Sequence, residues 1–294
     1  MGKKLLFAVN PKAGKSDIKN CLLPILQLFA ENEYETTMLI SRRQGEIWET
    51  LAKRAGEYDL VVCCGGDGTL NETVNGILNS GVDVPMGYIP TGTVNDFASN
   101  QHLSKNMLQA AKNIFSGQRT SADVGCFNGR YFTYVAAFGA FSDVAYLTPQ
   151  ATKATLGRAA YFFEGVKRLP TLKPIKIEIK TESAVIRDEF IFGMVSNYNT
   201  IGGMKLFPKD TIMCDDGLME LTLVKNPKNF GETQEAAMSM LQGAGNSPMI
   251  YRMHVKKAVF TGDEAISWTL DGEFGGTVES AEIVAVSPGI SLMK

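Results

Sequence analysis

Only two histidines occur in 294 residues, and neither His102 nor His254 has an acid, a nucleophile or a second metal ligand at a telling spacing. No Gly-x-Ser-x-Gly, zinc-binding or catalytic Cys/His arrangement is present, which excludes serine-hydrolase, zinc-enzyme and thiol-protease chemistry. The five cysteines, Cys21, Cys63, Cys64, Cys126 and Cys214, are odd in number and form no Cys-x-x-Cys pair. They are expected to be reduced thiols of a cytosolic protein, with the adjacent Cys63 and Cys64 as plain buried residues at the end of an apolar strand. A long basic run is also missing, and 29 basic against 31 acidic residues leave a net charge of −2, so nucleic acid is not an expected partner. No stretch approaches the roughly 20 apolar residues of a spanning helix. The apolar run 5–9 that follows Met1-Gly2-Lys3-Lys4 is too short for a signal-peptide core, and Leu6 stands where a myristoylation motif needs Ser or Thr. The expected location is cytoplasmic, with any membrane contact peripheral, at the inner face of the membrane.

What is present is an ordinary globular composition, 45% hydrophobic and 20% charged, without repeats or low-complexity segments. The length exceeds a typical single domain and predicts two domains sharing a cleft. In the first third, strand-like runs at 4–9, 34–41, 60–64 and 85–89 alternate with helical patterns at 17–30, 46–56, 69–79 and 105–116, the signal of a mostly parallel α/β sheet. Pro24 should kink the first helix or shift its start. Near residue 122 the period changes to two, with strands expected at 124–127 and 131–136 around an Asn128-Gly129 hairpin turn, then at 175–181, 190–196, 219–225, 253–261, 266–270 and 282–287. Helices near 150–168 and 233–242 interrupt them. The fold class is therefore α/β plus mainly-β, with a Rossmann-like N-terminal domain over 1–122, completed by the C-terminal segment 286–294, and an antiparallel β-sandwich domain over 123–285.

The sharpest local signal is the string from Val61 to Glu72, in which a buried strand enters Gly65-Gly66-Asp67-Gly68-Thr69 and then a helix. Glycines there let backbone N–H groups approach a polyanion, and the helix directs its positive end at the same place. A tight turn with Asp67 or Thr69 as helix cap would read the same way. Neither the Rossmann nor the Walker glycine pattern fits. Asn10-Pro11-Lys12-Ala13-Gly14-Lys15 leaves the first strand in a second Pro/Gly turn carrying two lysines, and Pro90-Thr91-Gly92-Thr93-Val94-Asn95-Asp96-Phe97 leaves the fourth in another. Loops at the carboxyl ends of strands are where open α/β sheets bind ligands.

The Gly65–Thr69 string resembles the signature shared by diacylglycerol, sphingosine and ceramide kinases, NAD kinases and phosphofructokinases. Asn10-Pro11 with Gly14, Pro90 with Gly92-Thr93 and Asn95-Asp96-Phe97-Ala98, and Asp271-Gly272-Glu273 are similar to the bacterial diacylglycerol kinase-like lipid kinases, in order, from residue 7 to about 275. The resemblance implies an ATP-binding first domain, a β-rich lipid-substrate domain, an active site in the cleft between them, and transfer of the γ-phosphate of ATP to a lipid hydroxyl. Diacylglycerol going to phosphatidic acid, a step of phospholipid biosynthesis, is the first choice. It assigns ATP contacts to Asn10, Pro11, Lys12, Ala13, Gly14, Ser41, Gly66, Asp67, Gly68, Thr69, Leu70, Asn71, Glu72 and Thr93. Catalysis falls to Glu273 as base, with Asp67, Asp96 and Asp215 forming a carboxylate network with water and Mg2+ near the phosphates. A second, structural Mg2+ is implied at the Asp216 carboxylate and the carbonyls of Met213 and Leu218.

This sequence departs from the family at Ala13, where Ser is common, at Ser41, where Thr is common, and at Gly202-Gly203-Met204, where many relatives carry three glycines. The last departure bears on the lipid-facing side. An NAD kinase-like enzyme shares the glycine turn but not the Asn95-Asp96-Phe97 loop or the terminal Asp271-Gly272-Glu273. A catalytically silent nucleotide- or lipid-binding protein is a third reading, and joint retention of Asp67, Asp96, Asp215 and Glu273 argues against it. The aromatic run 161–163 is expected in a core. The oligomeric state, a homodimer included, is left open.

Overall fold

The structure, a computed structural model, describes residues 2–14, 18–139, 173–198, 200–201, 204–205, 213–242 and 247–294. Lys15, the helix expected at 150–168 with its aromatic run, and Gly202-Gly203 lie outside the described residues. Helices and strands are mixed, and the chain divides into two compact units, 1–124 with 287–294, and 125–286.

The first unit contains β1 (Lys3–Val9), α1 (Lys19–Glu31), β2 (Tyr34–Ile40), α2 (Glu46–Arg54), β3 (Leu60–Gly65), α3 (Asp67–Ser80), β4 (Met86–Pro90), α4 (Asp96–Asn100), α5 (Met107–Ser116) and the start of β5 (Arg119–Phe127). Its strands lie in the order β2-β1-β3-β4 and all pair in parallel, with registers such as Leu5↔Leu60 and Val61↔Met86. The chain end joins them through Leu292↔Met86. Parallel strands need a crossover between neighbours, and the helices supply it. Every residue of β3 and β4 is buried, the pattern of strands covered on both faces. On one face Phe7, Val9, Val62 and Cys64 pack with Ile25 and Phe29 of α1 and Ala110 and Ile114 of α5. On the other, Cys63 meets Thr73 of α3. Both adjacent cysteines are free and buried, and burial pushes the Cys64 thiol up to about 12, which makes it a packing residue and not a nucleophile. Pro24 sits inside α1, at the cost of one i→i−4 hydrogen bond.

The second unit contains the rest of β5, β6 (Arg130–Phe132), β7 (Val135–Gly139), β8 (Ile175–Thr181), β9 (Val185–Ser196), β10 (Thr200–Ile201), β11 (Met204–Lys205), β12 (Met219–Lys225), α6 (Phe230–Gln242), β13 (Ile250–Val255), β14 (Lys257–Leu270) and most of β15 (Glu273–Met293). The pairings β5–β6, β7–β9, β7–β14, β8–β9, β8–β14, β9–β12, β10–β11, β12–β13 and β14–β15 are antiparallel. The long strands β9 and β14 each pair with β7 at one end and with β8 at the other. The four strands therefore close on themselves around Phe138, Ile177, Ile179, Phe190, Phe260 and Trp268. Trp268 is the hub, with its ring 4.9 to 5.2 Å from those of Phe127, Phe138 and Phe260, edge-on or tilted as aromatic quadrupoles prefer.

The elements differ from the expected ones in several places, among them the strand expected at 253–261, which is divided between β13 and β14 at Lys256. The polar run Gly262-Asp263-Glu264 reads as a break, yet β14 passes through it, with the register shift between Thr261 and Ile266 absorbing the extra residues. The expected strand 282–287 is the middle of β15, which runs through Gly275 and Gly276. Residues 131–136, expected as one strand, divide into β6 and β7 because the Thr133 and Tyr134 amides turn to the Asp271 carboxylate. The Asn128-Gly129 hairpin forms as expected, with positive φ at both residues and Phe127 paired with Arg130.

Candidate active site

Because β1, β2, β3 and β4 are parallel, their carboxyl ends share one edge of the first unit, and four loops leave from it. The Asn10 amide donates to the Cys64 carbonyl at 3.0 Å, and Ser41 N–H donates to Val9 at 2.9 Å. The Asn10 side-chain amide donates to Thr69 Oγ1 at 3.1 Å, and its own Oδ1 accepts from Lys12 N–H at 3.0 Å. Gly14 has φ +65°, and a Cβ there would lie 1.8 Å from the Thr91 carbonyl oxygen. A Cβ at Gly66 would stand 3.2 Å from the Gly92 Cα. The expected loops are thus gathered against one another, with glycine at the points where backbone touches backbone.

Asn95 holds the third loop. It takes the left-handed conformation at φ 54° and caps α4, a short helix where the sequence suggests a loop. Its Oδ1 accepts from Gly92 N–H at 2.9 Å, its Nδ2 donates to the Gly92 carbonyl at 2.7 Å, and its backbone N–H donates to Asp67 Oδ2 at 2.9 Å. The buried Tyr88 hydroxyl lies 3.2 Å from the Gly65 carbonyl and 3.3 Å from Asn95 Oδ1. Burial first, and the nearby Asp67 charge second, hold that phenol well above its ordinary range, so Tyr88 stays neutral and braces both loops.

Gly66 is the N-cap of α3 and, as a glycine, brings no side chain to cap the helix. Gly68 is exposed, with nothing within 4 Å of where a Cβ would project. Thr69 and Leu70 are buried, and Leu70 N–H is already donated to the Gly66 carbonyl at 3.0 Å. Asn71 Oδ1 accepts from the Asn75 side chain at 3.1 Å, and Glu72 Oε1 accepts from Gly45 N–H at 2.8 Å, tying α3 to the loop after Ser41. Pro11, Lys12 and Thr93 are exposed, and Ala13 is half-buried. Asp96 is buried in the first turn of α4.

The other implied residues belong to the second unit. Asp215 and Asp216 lie exposed in the turn before β12, where Gly217 has φ +74° and Leu218 N–H donates to Asp216 Oδ1 at 3.0 Å. One carboxylate with the carbonyls of Met213 and Leu218 makes an all-oxygen donor set, which suits Mg2+ when water completes the shell. No group of three or more acidic, His or Cys side chains suited to a metal occurs among the described residues. Just beyond this turn Glu220 is buried, with Oε1 3.1 Å from His254 Nε2 across the β12–β13 pairing. Burial pushes its carboxyl up to about 8. His254 therefore has an acidic partner, and the 34-residue separation hid it from sequence spacing. Glu273 is exposed and follows the Asp271-Gly272 turn between β14 and β15.

Residues 4–127 match the model of the diacylglycerol kinase catalytic domain. The chain is 32% identical over 278 residues to a diacylglycerol kinase of Bacillus subtilis, covering 93% of this chain and 91% of the relative. The chain belongs to the diacylglycerol kinase family. A diacylglycerol kinase of Staphylococcus saprophyticus is 31% identical over 280 residues, covering 94% of this chain and 90% of that one. Two solved structures from Bacillus anthracis str. Sterne superpose with TM-scores of 0.83 and 0.77 at 26% and 24% identity, each covering 99% of this chain and 97% of the other, and the second is described as a diacylglycerol kinase. This diacylglycerol kinase family member is thus a lipid kinase.

Proposed function

We propose that this lipid kinase transfers the γ-phosphate of ATP to the primary hydroxyl of a membrane lipid, with diacylglycerol as acceptor and phosphatidic acid as product. The first unit acts as a Rossmann-like nucleotide domain and the second as a β-sandwich-like domain for the lipid. The observation that carries this reading is the contact of the Asn10–Gly14, Gly66–Thr69 and Thr91–Asn95 loops at one edge of a parallel sheet. The backbone amides at the start of α3, exposed Gly68 and exposed Lys12 offer the ATP phosphates hydrogen bonds and positive charge. Ser41, Asn71 and Glu72 bind alongside.

Mg2+, when bound with ATP, would supply neutralising charge at the phosphates. Asp67, Asp96 and Asp215 would hold it and its water shell, and Met213, Asp216 and Leu218 would hold a structural Mg2+. Glu273 takes the proton from the lipid hydroxyl as that oxygen attacks the γ-phosphorus and the bond to the β–γ bridging oxygen breaks, releasing ADP, since an alcohol is a poor nucleophile at neutral pH. The acceptor lives in a bilayer, while no helix among the described residues is long and apolar enough to cross one. The enzyme is accordingly proposed to visit the inner membrane face reversibly. Mass spectrometry of lipid extracts incubated with ATP and Mg2+ tests the acceptor, with phosphatidic acid as the expected product. Accumulation of another phosphorylated lipid, or of NADP from added NAD, would replace diacylglycerol. Sedimentation with liposomes tests the membrane step: full turnover on a soluble short-chain acceptor with no vesicle binding would remove it.

A further inference from the structure

In the Asp271-Gly272-Glu273 run, Asp271 would ordinarily be counted as a second reactive or metal-binding acid. Its surroundings say otherwise. The side chain is buried, and Oδ2 accepts from Thr133 N–H at 2.7 Å and from Thr133 Oγ1 at 2.8 Å. Oδ1 accepts from Tyr134 N–H at 2.9 Å and Val135 N–H at 3.1 Å. A carboxylate offers about four lone-pair positions, and all are used within the second unit. The Asp271 backbone N–H donates back to the Val135 carbonyl at 2.8 Å.

The turn itself does not explain an aspartate. Asp271 and Gly272 have φ of +50° and +81°, the signature of a two-residue I′ hairpin, which Asn-Gly forms as readily as Asp-Gly. A neutral Asn has one acceptor oxygen and one NH2 group, so it cannot receive three successive backbone amides and a hydroxyl. A carboxylate can, and charge-assisted bonds of this kind are the stronger ones. The residue fixed by this grip is Glu273, which pairs with Leu270 at the mouth of the same turn.

We propose that Asp271 is a positioning residue that fixes the carboxylate of Glu273 for proton removal by clamping the Asp271-Gly272 turn onto residues 133–135, and that Thr133 is its partner in the clamp. The assignment rests on the role proposed for Glu273. Displacing a reacting group by about 1 Å can cost roughly 10²-fold in rate, so loosening the clamp should reach turnover without touching the nucleotide.

The test is a double-mutant cycle on the full chain with ATP and diacylglycerol in detergent micelles. Asp271→Asn should lower kcat about 10- to 100-fold, with KM for ATP within about threefold of the parent and an unchanged circular dichroism spectrum. Combined with Glu273→Gln it should add less than about twofold, because a residue that acts through the base has nothing left to position. Thr133→Val, which keeps shape and removes one donor, should lower kcat about 2- to 5-fold alone and have no effect in the Glu273→Gln background. This milder pair decides the matter if Asp271→Asn does not fold. Losses that multiply in the double variants, or parent-like turnover of folded Asp271→Asn, would overturn the assignment while leaving the base in place. Parent-like turnover of Glu273→Gln would instead overturn the base itself, and the positioning role with it.

Discussion

The two units solve the problem of placing functional groups in opposite ways. In the first, parallel strands put their carboxyl ends at one edge, so loops 59 residues apart in sequence become neighbours in space and Asn10 meets Thr69 without either leaving its own motif. In the second, strands alternate in direction, and functional groups sit in turns whose partners lie far along the chain, as Asp271 lies 138 residues from Thr133. The difference teaches that a parallel unit gathers its loops by repetition of one device, strand then loop then helix N-terminus, whereas an antiparallel unit holds its turns by clamps between distant segments. The first unit should therefore govern nucleotide affinity and the second turnover.

The largest expected break in that contrast comes from Glu273→Gln, which should reduce turnover roughly 10²- to 10⁴-fold, the range of a general base, while calorimetry finds ATP affinity unchanged. Turnover within about threefold of the parent, worth only about 0.7 kcal/mol, would place the base elsewhere. The complementary change is Gly66→Val in the first unit. Its Cβ would stand 3.2 Å from the Gly92 Cα and its branches would enter the proposed phosphate cradle, so ATP affinity should fall at least about tenfold, or about 1.4 kcal/mol. Unchanged calorimetric affinity would sink the cradle.

Asn95→Ala separates stability from chemistry. It removes the two bonds to Gly92 and the contact with the Tyr88 hydroxyl, and should cost about 2–3 kcal/mol at about 1 kcal/mol per buried hydrogen bond, seen as a lower Tm. A Tm equal to that of the parent would mean that the loop is held by other contacts. The smallest effect is electrostatic. The Arg42 side chain and backbone N–H hold the Glu46 carboxyl down at about 2. A depressed carboxylate adds stability above its unfolded value, and that stability is lost as pH falls toward 2. Thermal melts between pH 5 and pH 2 should therefore drop less steeply for Glu46→Gln than for the parent, and parallel curves would show that the pair contributes nothing.

The same contrast sets what could be read in advance. The runs β1, β3 and β4 are apolar on both faces and bounded by Pro/Gly turns, so strands, helices and rim loops of the first unit are visible in the residues themselves, Gly66 and Asn10 included. The short helix α4 was not, because five residues carry too little periodicity. In the second unit the Asn128-Gly129 turn is written in its own two residues, while the split of β6 from β7 depends on a carboxylate at position 271 and could not be seen from 131–136. His254 hid its partner in the same way.

By itself, then, the sequence determined which backbone stretches can be strand, helix or glycine turn and which residue types stand at their ends, because those follow from local sterics and burial patterns a few residues long. Only the tertiary structure decided that Asn95 braces the loop at Gly92, that Glu220 faces His254, and that Asp271 spends its lone pairs on residues 133–135. Hydrogen bonds between segments are set by chain folding over long separations, and no local pattern records which donor will be delivered to which acceptor.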